Sequence, residues 1–157
     1  RMSRGLGDVY KRQVSVELAL LAPKSRVYAV EYKGEACALI RANRERFGAY
    51  NLELAEGRAP AALADLPAPD GVFIGGSEGE LIPILEAALS RNPAVRFCVT
   101  AIAVETLGVA VAAFTQLGMN PQITQITVAR SRRAGERNLM LGQNPVWIVT
   151  GQKEALL

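Results

Sequence analysis

Arg26-Val-Tyr-Ala-Val-Glu31-Tyr32 is a short apolar run that ends in one carboxylate and leads into a helix-like segment from Gly34. Its length and its β-branched and aromatic content predict a strand. Where strands alternate with helices, an acidic residue at the C-terminal tip of the second strand is placed to accept hydrogen bonds from the two hydroxyls of a ribose. Glu31 is therefore a candidate ligand for a nucleotide-type cofactor, with capping of the following helix as its alternative role. Val14 to Leu21 reads as the helix that should follow a glycine-rich turn, and no such turn precedes it. The first strand of the pattern and its glycine turn are expected to be missing.

Outward from that strand the chain alternates. A helix is expected over Val14 to Leu21, a strand over Arg26 to Glu31, a helix over Gly34 to Phe47 and a strand over Leu52 to Glu56. A Pro- and Ala-rich connection leads to a strand over Gly71 to Ile74, then come a helix from Leu81 to Ser90, a strand from Arg96 to Thr100 and a helix from Glu105 to Leu117. Helical spacing of apolar residues gives way to continuous apolar strands, the pattern of a parallel sheet covered on both faces. The last two strands, Ile123 to Ala129 and Val146 to Thr150, are joined by a segment read as a loop without a helix. An α/β, Rossmann-like sheet that ends in an antiparallel strand pair follows. Residues 1–13 lack apolar periodicity and are read as a non-native tail or assembly scar, residues 14–153 as one domain and residues 154–157 as a tail. The lone Gly5-x-Gly7 follows no strand, so it is assigned to that tail.

The chain has 157 residues, half of them hydrophobic, which is the size of one domain with a real core. A formal charge of +3 with mixed signs indicates neither general nucleic-acid nor membrane affinity. No histidine is present and Cys37 and Cys98 stand far apart in apolar surroundings. Reduced, buried thiols in a cytoplasmic protein are expected, no metal site, and no His-based acid/base or triad chemistry. No apolar run is long enough to span a bilayer.

Three stretches carry a resemblance: Asp70-Gly-Val-Phe-Ile-Gly-Gly-Ser77, Val104-Glu-Thr-Leu107 and Gln143-Asn-Pro-Val-Trp-Ile-Val-Thr-Gly151. In order and spacing they resemble the decarboxylating precorrin-6B (precorrin-6Y) methyltransferases of cobalamin (vitamin B12) biosynthesis, over about Val14 to Lys153. The resemblance implies a class I S-adenosylmethionine-dependent methyltransferase fold. It implies C-methylation of a precorrin-6B type tetrapyrrole at carbon 15, or at carbons 5 and 15, coupled to decarboxylation of an acetate side chain. It further implies a free protein, or fusion or pairing with a second precorrin methyltransferase, and a homo-oligomer. Family members carry an Asp-x-Gly-x-Gly-x-Gly type turn where this chain has Asp8-Val-Tyr-Lys-Arg-Gln13. That departure keeps two alternatives in view, a class I methyltransferase of another small molecule and a remnant domain unable to bind cofactor.

The resemblance also places the cofactor residues. Glu31 would hold the ribose, and Tyr32 would cover a face of adenine or stand as a strand-end aromatic. Gly57, Arg58 and Ala59 would offer backbone groups to the adenine edge, the Arg58 side chain not being the expected contact. Gly75 and Gly76 would keep the end of their strand small, or form a tight turn. For a substrate rimmed with carboxylates, Arg130, Arg132, Arg133 and Arg137 of the loop Arg130-Ser-Arg-Arg-Ala-Gly-Glu-Arg-Asn138 are the candidate partners, a solvated loop being the alternative. Without interleaved aromatics these arginines do not indicate nucleic-acid binding. Thr100 and Glu105 are the candidate catalytic groups, with turn bonding and helix capping as their other roles.

Overall fold

The computed structural model describes residues 6–153, with side chains from Val14 onward. The chain forms two compact units, Arg1–Pro67 and Ala68–Leu157.

The first unit holds helix α1 (Leu6–Leu21), strand β1 (Val27–Glu31), helix α2 (Gly34–Phe47), strand β2 (Leu52–Glu56) and a short 3-10 turn, Ala61–Leu63. The helix expected from Val14 thus begins at Leu6, inside the segment read as a tail. β1 and β2 pair in parallel, Val27 opposite Leu52 and Glu31 opposite Glu56. Strand alternation turns Val27 and Ala29 of β1, and Leu52 and Leu54 of β2, to one face. There they pack with Val16 and Ala19 of α1, Ile40 of α2 and Ala49. No residue of β1 is fully buried, so this pair departs from the expected sheet covered on both faces. Gly48 ends α2 in the left-handed conformation, φ 65°, where a glycine carries no steric penalty.

Asn51 ties the unit together. Its side-chain amide lies 3.0, 3.1 and 2.9 Å from the carbonyl oxygens of Ala19, Ala22 and Ser25, at the C-terminal end of α1 and the turn beyond it. Its own carbonyl accepts from Val27 N at 3.0 Å. The Asn51 side chain therefore satisfies carbonyls at the end of α1 and in the turn beyond it, while its backbone carbonyl fixes the start of β1.

The second unit holds β3 (Gly71–Ile74), α3 (Leu81–Arg91), β4 (Arg96–Ala101), α4 (Val104–Gln116), β5 (Gln122–Ile126), β6 (Ala129–Ala134), β7 (Arg137–Gly142) and β8 (Val146–Gly151). Its main sheet has the order β3-β4-β8-β5, with β3 parallel to β4 and β8 antiparallel to both β4 and β5. The expected antiparallel ending is therefore present. Leu81, Ile84, Leu85, Ala88 and Leu89 are buried on α3 at helical spacing. Phe97, Val99 and Ala101 alternate inward on β4 and Val149 on β8. Phe97 meets Phe114 of α4 in a tilted ring pair with centroids 6.1 Å apart.

β1 pairs only with β2, and β3 only with β4, so each has one edge without a strand partner among the described residues. The segment between the last two sheet strands is corrected by the structure: it is not a loop but the hairpin β6–β7, paired from Ala129↔Gly142 to Ala134↔Arg137. The strand expected through Ala129 stops at Ile126, and Ala129 opens the hairpin. Gly135 and Glu136 form its two-residue turn, with Gly135 at φ 62°, the first-position glycine that a type II′ turn requires.

Candidate active site

In the first unit the strand tips carry the chemistry. Glu31 is half-buried, and its Oε1 accepts from the backbone amides of Tyr32 at 3.0 Å and Lys33 at 2.9 Å. The carboxylate therefore holds the turn into α2, whose N-cap residue Lys33 makes no side-chain cap of its own. These bonds fix the carboxylate's direction and commit one oxygen to the turn. The neighbouring acid, Glu56, pairs with Arg41 of α2. Of the two tip carboxylates, Glu31 is the one left without an ion pair among the described residues.

Gly57 N donates to Glu31 O at 3.0 Å, extending the β1–β2 ladder by one residue. A Cβ on Gly57 would lie 2.9 Å from Ala62 Cβ, so close packing of the loop demands glycine here. Beyond it Ala62 N donates to Arg58 O at 3.0 Å, and the Ala59–Pro60 bond is cis. The Arg58 guanidinium lies over the Tyr32 ring, 4.2 Å from its centroid, and the Lys33 ammonium stands 5.5 Å from the same point. The Arg58 side chain, not expected to contact the cofactor, lies over the aromatic expected to cover adenine.

These groups fit a nucleoside. A fixed carboxylate suits a ribose, and beside it, one residue along from Glu31 and two along from Glu56, stand an aromatic ring and a guanidinium suited to a base. Cys37 lies beneath, buried, its thiol donating to Glu31 O at 3.4 Å. Burial first, then the charges of Glu56 and Glu31, push that thiol's pKa up, so it stays protonated and inert. Burial likewise raises the pKa of Cys98.

In the second unit Gly75 is half-buried and Gly76 exposed, immediately after β3. A turn closed by Glu80 N to Ser77 O, 2.8 Å, leads from them into α3. Thr100 is half-buried near the end of β4, opposite Ile148 and on the face away from Phe97 and Val99. Glu105 is exposed in the first turn of α4, where a carboxylate meets the positive end of the helix. Sequence reading proposed no site role for two neighbours, Ile102 just after β4 and Val104 at the start of α4, which are 59% and 66% exposed. Large apolar side chains at the strand end where open α/β sheets bind ligands are the signal that marks them.

The structure separates the four arginines. Register and alternation put Arg130, Arg132 and Arg137 on one hairpin face together with Leu139 and Leu141, and Arg133 on the other with Met140. Arg133 Nε donates to Gly135 O at 3.2 Å, so this side chain braces the turn.

A family model described as a precorrin methyltransferase domain matches residues 11–153. The chain belongs to that family. It is 43% identical over 139 residues to a probable cobalt-precorrin-6B C(15)-methyltransferase (decarboxylating) of Pyrobaculum calidifontis, a match covering 87% of this chain and 71% of the relative. It is 32% identical over 143 residues to the cobalt-precorrin-6B C(15)-methyltransferase (decarboxylating) of Salmonella typhimurium, covering 90% of this chain and 73% of that one. Among solved structures it is similar to a precorrin-6y C5,15-methyltransferase from Geobacter metallireducens, with a TM-score of 0.84 and 35% identity over 96% of this chain and 76% of the other. The resemblance carried by the Phe-Ile-Gly-Gly and Asn-Pro-Val stretches is thereby borne out, as is the Rossmann-like class I methyltransferase fold.

Proposed function

We propose that this protein methylates a precorrin-6B type tetrapyrrole at carbon 15, or at carbons 5 and 15, coupled to loss of carbon dioxide from an acetate side chain, in cobalamin biosynthesis. Family membership over residues 11–153 carries the reading. S-adenosylmethionine is the methyl donor, supplying an electrophilic methyl to a ring carbon. In the first unit Glu31 accepts from the ribose hydroxyls, the Tyr32–Arg58 pair lies on one side of the base, and the backbone at Gly57, Arg58 and Ala59 borders its edge. Gly75 and Gly76 keep the end of β3 open to close approach of the cofactor.

The substrate is a flat apolar ring with a carboxylate rim. The hairpin face of Arg130, Arg132 and Arg137 beside Leu139 and Leu141 offers cations and apolar surface in one plane. Guanidinium groups pair with carboxylates in bidentate fashion and fix the ring's orientation. Methyl transfer to an electron-rich carbon then needs in-line placement and exclusion of water more than a strong base. When carbon dioxide leaves, the electron pair of the broken bond passes into the conjugated ring, and a proton completes the new methyl group. Thr100 and Glu105 are the candidate groups for moving that proton.

The reading includes a cytoplasmic location, self-association and pairing with a second precorrin methyltransferase. Self-association is supported by β5, an edge strand exposed along its whole length that carries Ile123 and Ile126. Among the described residues no helix is long and apolar enough to cross a membrane. The deciding experiment is turnover of precorrin-6B with S-adenosylmethionine, followed by mass spectrometry. A product that has gained a methyl group and lost carbon dioxide supports the reading, methylation without that loss sends the activity to another substrate, and an unchanged tetrapyrrole overturns it.

A further inference from the structure

Tyr32 and Arg58 come from adjacent strand tips, the Arg58 guanidinium lies over the Tyr32 ring, and the backbone of each is anchored. Tyr32 N is held by Glu31 Oε1. Arg58 sits between two backbone bonds, Gly57 N to Glu31 O and Ala62 N to Arg58 O, each 3.0 Å. At 4.2 Å the guanidinium is already in contact with the ring, so no base fits between them. Arg58 itself is exposed, as Tyr32 is at 42%.

We propose that the cofactor's adenine lies on the outer face of the Arg58 guanidinium, with Tyr32 as the positioning layer beneath it, and that Arg58 is an affinity-determining residue. The proposal rests on the reading that S-adenosylmethionine is the cofactor. A guanidinium is planar and weakly hydrated, and it stacks on aromatic rings with either face. Lying on Arg58 leaves the existing contact with Tyr32 intact, whereas direct stacking of adenine on that ring face would first have to break it. The fixed carboxylate of Glu31 is one residue from Tyr32 and, across the β1–β2 register, two from Arg58, and a nucleoside likewise sets its diol beside its base.

The test is calorimetric titration of S-adenosylmethionine and S-adenosylhomocysteine into the wild type, Arg58→Ala, Arg58→Lys and Tyr32→Ala, with thermal midpoints as a folding control. Loss of a base-stacking layer raises Kd about tenfold. Arg58→Ala and Arg58→Lys should both show that loss, because lysine keeps the charge but not the plane. Tyr32→Ala should show a smaller loss. Both ligands should shift alike, since a stack does not sense the sulfonium charge. Tighter binding by Arg58→Ala identifies the arginine as a block and overturns the proposal. So does full rescue by lysine, or a loss confined to Tyr32→Ala. No binding of either ligand by the folded wild type overturns the cofactor reading itself, a result distinct from wild-type binding with a silent Arg58.

Discussion

Replacing Asn51 by alanine tests how the first unit places Glu31. The Asn51 amide has two protons for three carbonyl oxygens within 3.1 Å, so it makes two full bonds and one shared contact. Truncation leaves the part-buried Ala19 carbonyl without its donor, whereas Ala22 O keeps the Ser25 amide at 2.9 Å and Ser25 O is exposed. A lost bond costs about 1 kcal/mol and an unmet acceptor somewhat more, giving about 2–3 kcal/mol for the pair. For a chain of this size that corresponds to a fall in Tm of about 4–12 °C. Asn51→Asp should be worse at neutral pH, because it turns an anion toward three carbonyl oxygens. Its sign with pH is opposite to that of an ordinary paired acid. The folded state disfavours the charged form, so the native chain binds the proton more tightly than the unfolded one, and stability rises as pH falls through the carboxylate range. Urea melts of wild type, Asn51→Ala and Asn51→Asp at neutral and mildly acid pH read both effects. An alanine variant within about 0.5 kcal/mol of wild type would mean that water serves those carbonyls equally well.

Four further outcomes are expected. Gly151→Ala puts a Cβ 2.6 Å from a ring carbon of fully buried Phe114, and overpacking of this kind costs about 1–3 kcal/mol, so a thermal melt should fall by several degrees and an unchanged midpoint would refute the packing argument. Joint replacement of Arg130, Arg132 and Arg137 by Gln should raise KM for the tetrapyrrole about tenfold or more while leaving cofactor Kd unchanged, whereas Arg133→Gln should barely move either; equal effects would sink the assignment to one face. Glu105→Gln should slow turnover with cofactor affinity intact, and unchanged turnover removes Glu105 from the mechanism. Burial favours the neutral thiols of Cys37 and Cys98, so the unfolded chain loses its thiol protons first and stability declines as pH rises above about 8.5. Urea midpoints should show that decline, reduced in Cys37→Ala.

Much of the fold was legible because the strands and helices carry different apolar periods. The bounds expected for α2, β2 and β3 agree with the structure residue for residue, since Gly48 closes one helix and acidic or glycine residues punctuate the strands. β6 and β7 were missed because their alternating positions are arginines and leucines exposed to solvent, which leaves no inward apolar stripe to read. Ala134-Gly135-Glu136-Arg137 was the available signal, a glycine-led two-residue turn between two runs of strand length. The place of Glu31 at a strand tip was legible because it depends only on where a strand ends. The Arg58–Tyr32 stack was not, because it joins side chains from two strand tips and only parallel pairing in the observed register brings them together.

The hairpin shows why register matters more than composition for its arginines. As a string, Arg130-Ser-Arg-Arg-Ala-Gly-Glu-Arg137 is a basic run of the kind that solvated loops and nucleic-acid tails share. Folded as β6–β7, its period of two sorts the same charges into three that share a face with Leu139 and Leu141 and one that braces the turn. A phosphate backbone asks for cations tracked along a groove and gains nothing from exposed leucines. A ring with apolar faces and a carboxylate rim uses both, and it also offers cover to a two-stranded hairpin that is marginal alone in water. The same geometry limits which substitutions matter. Leu139→Lys would add a cation beside Arg132 while removing apolar contact, so weaker tetrapyrrole binding in that variant, despite its greater positive charge, would separate shape from charge in the recognition of the ring.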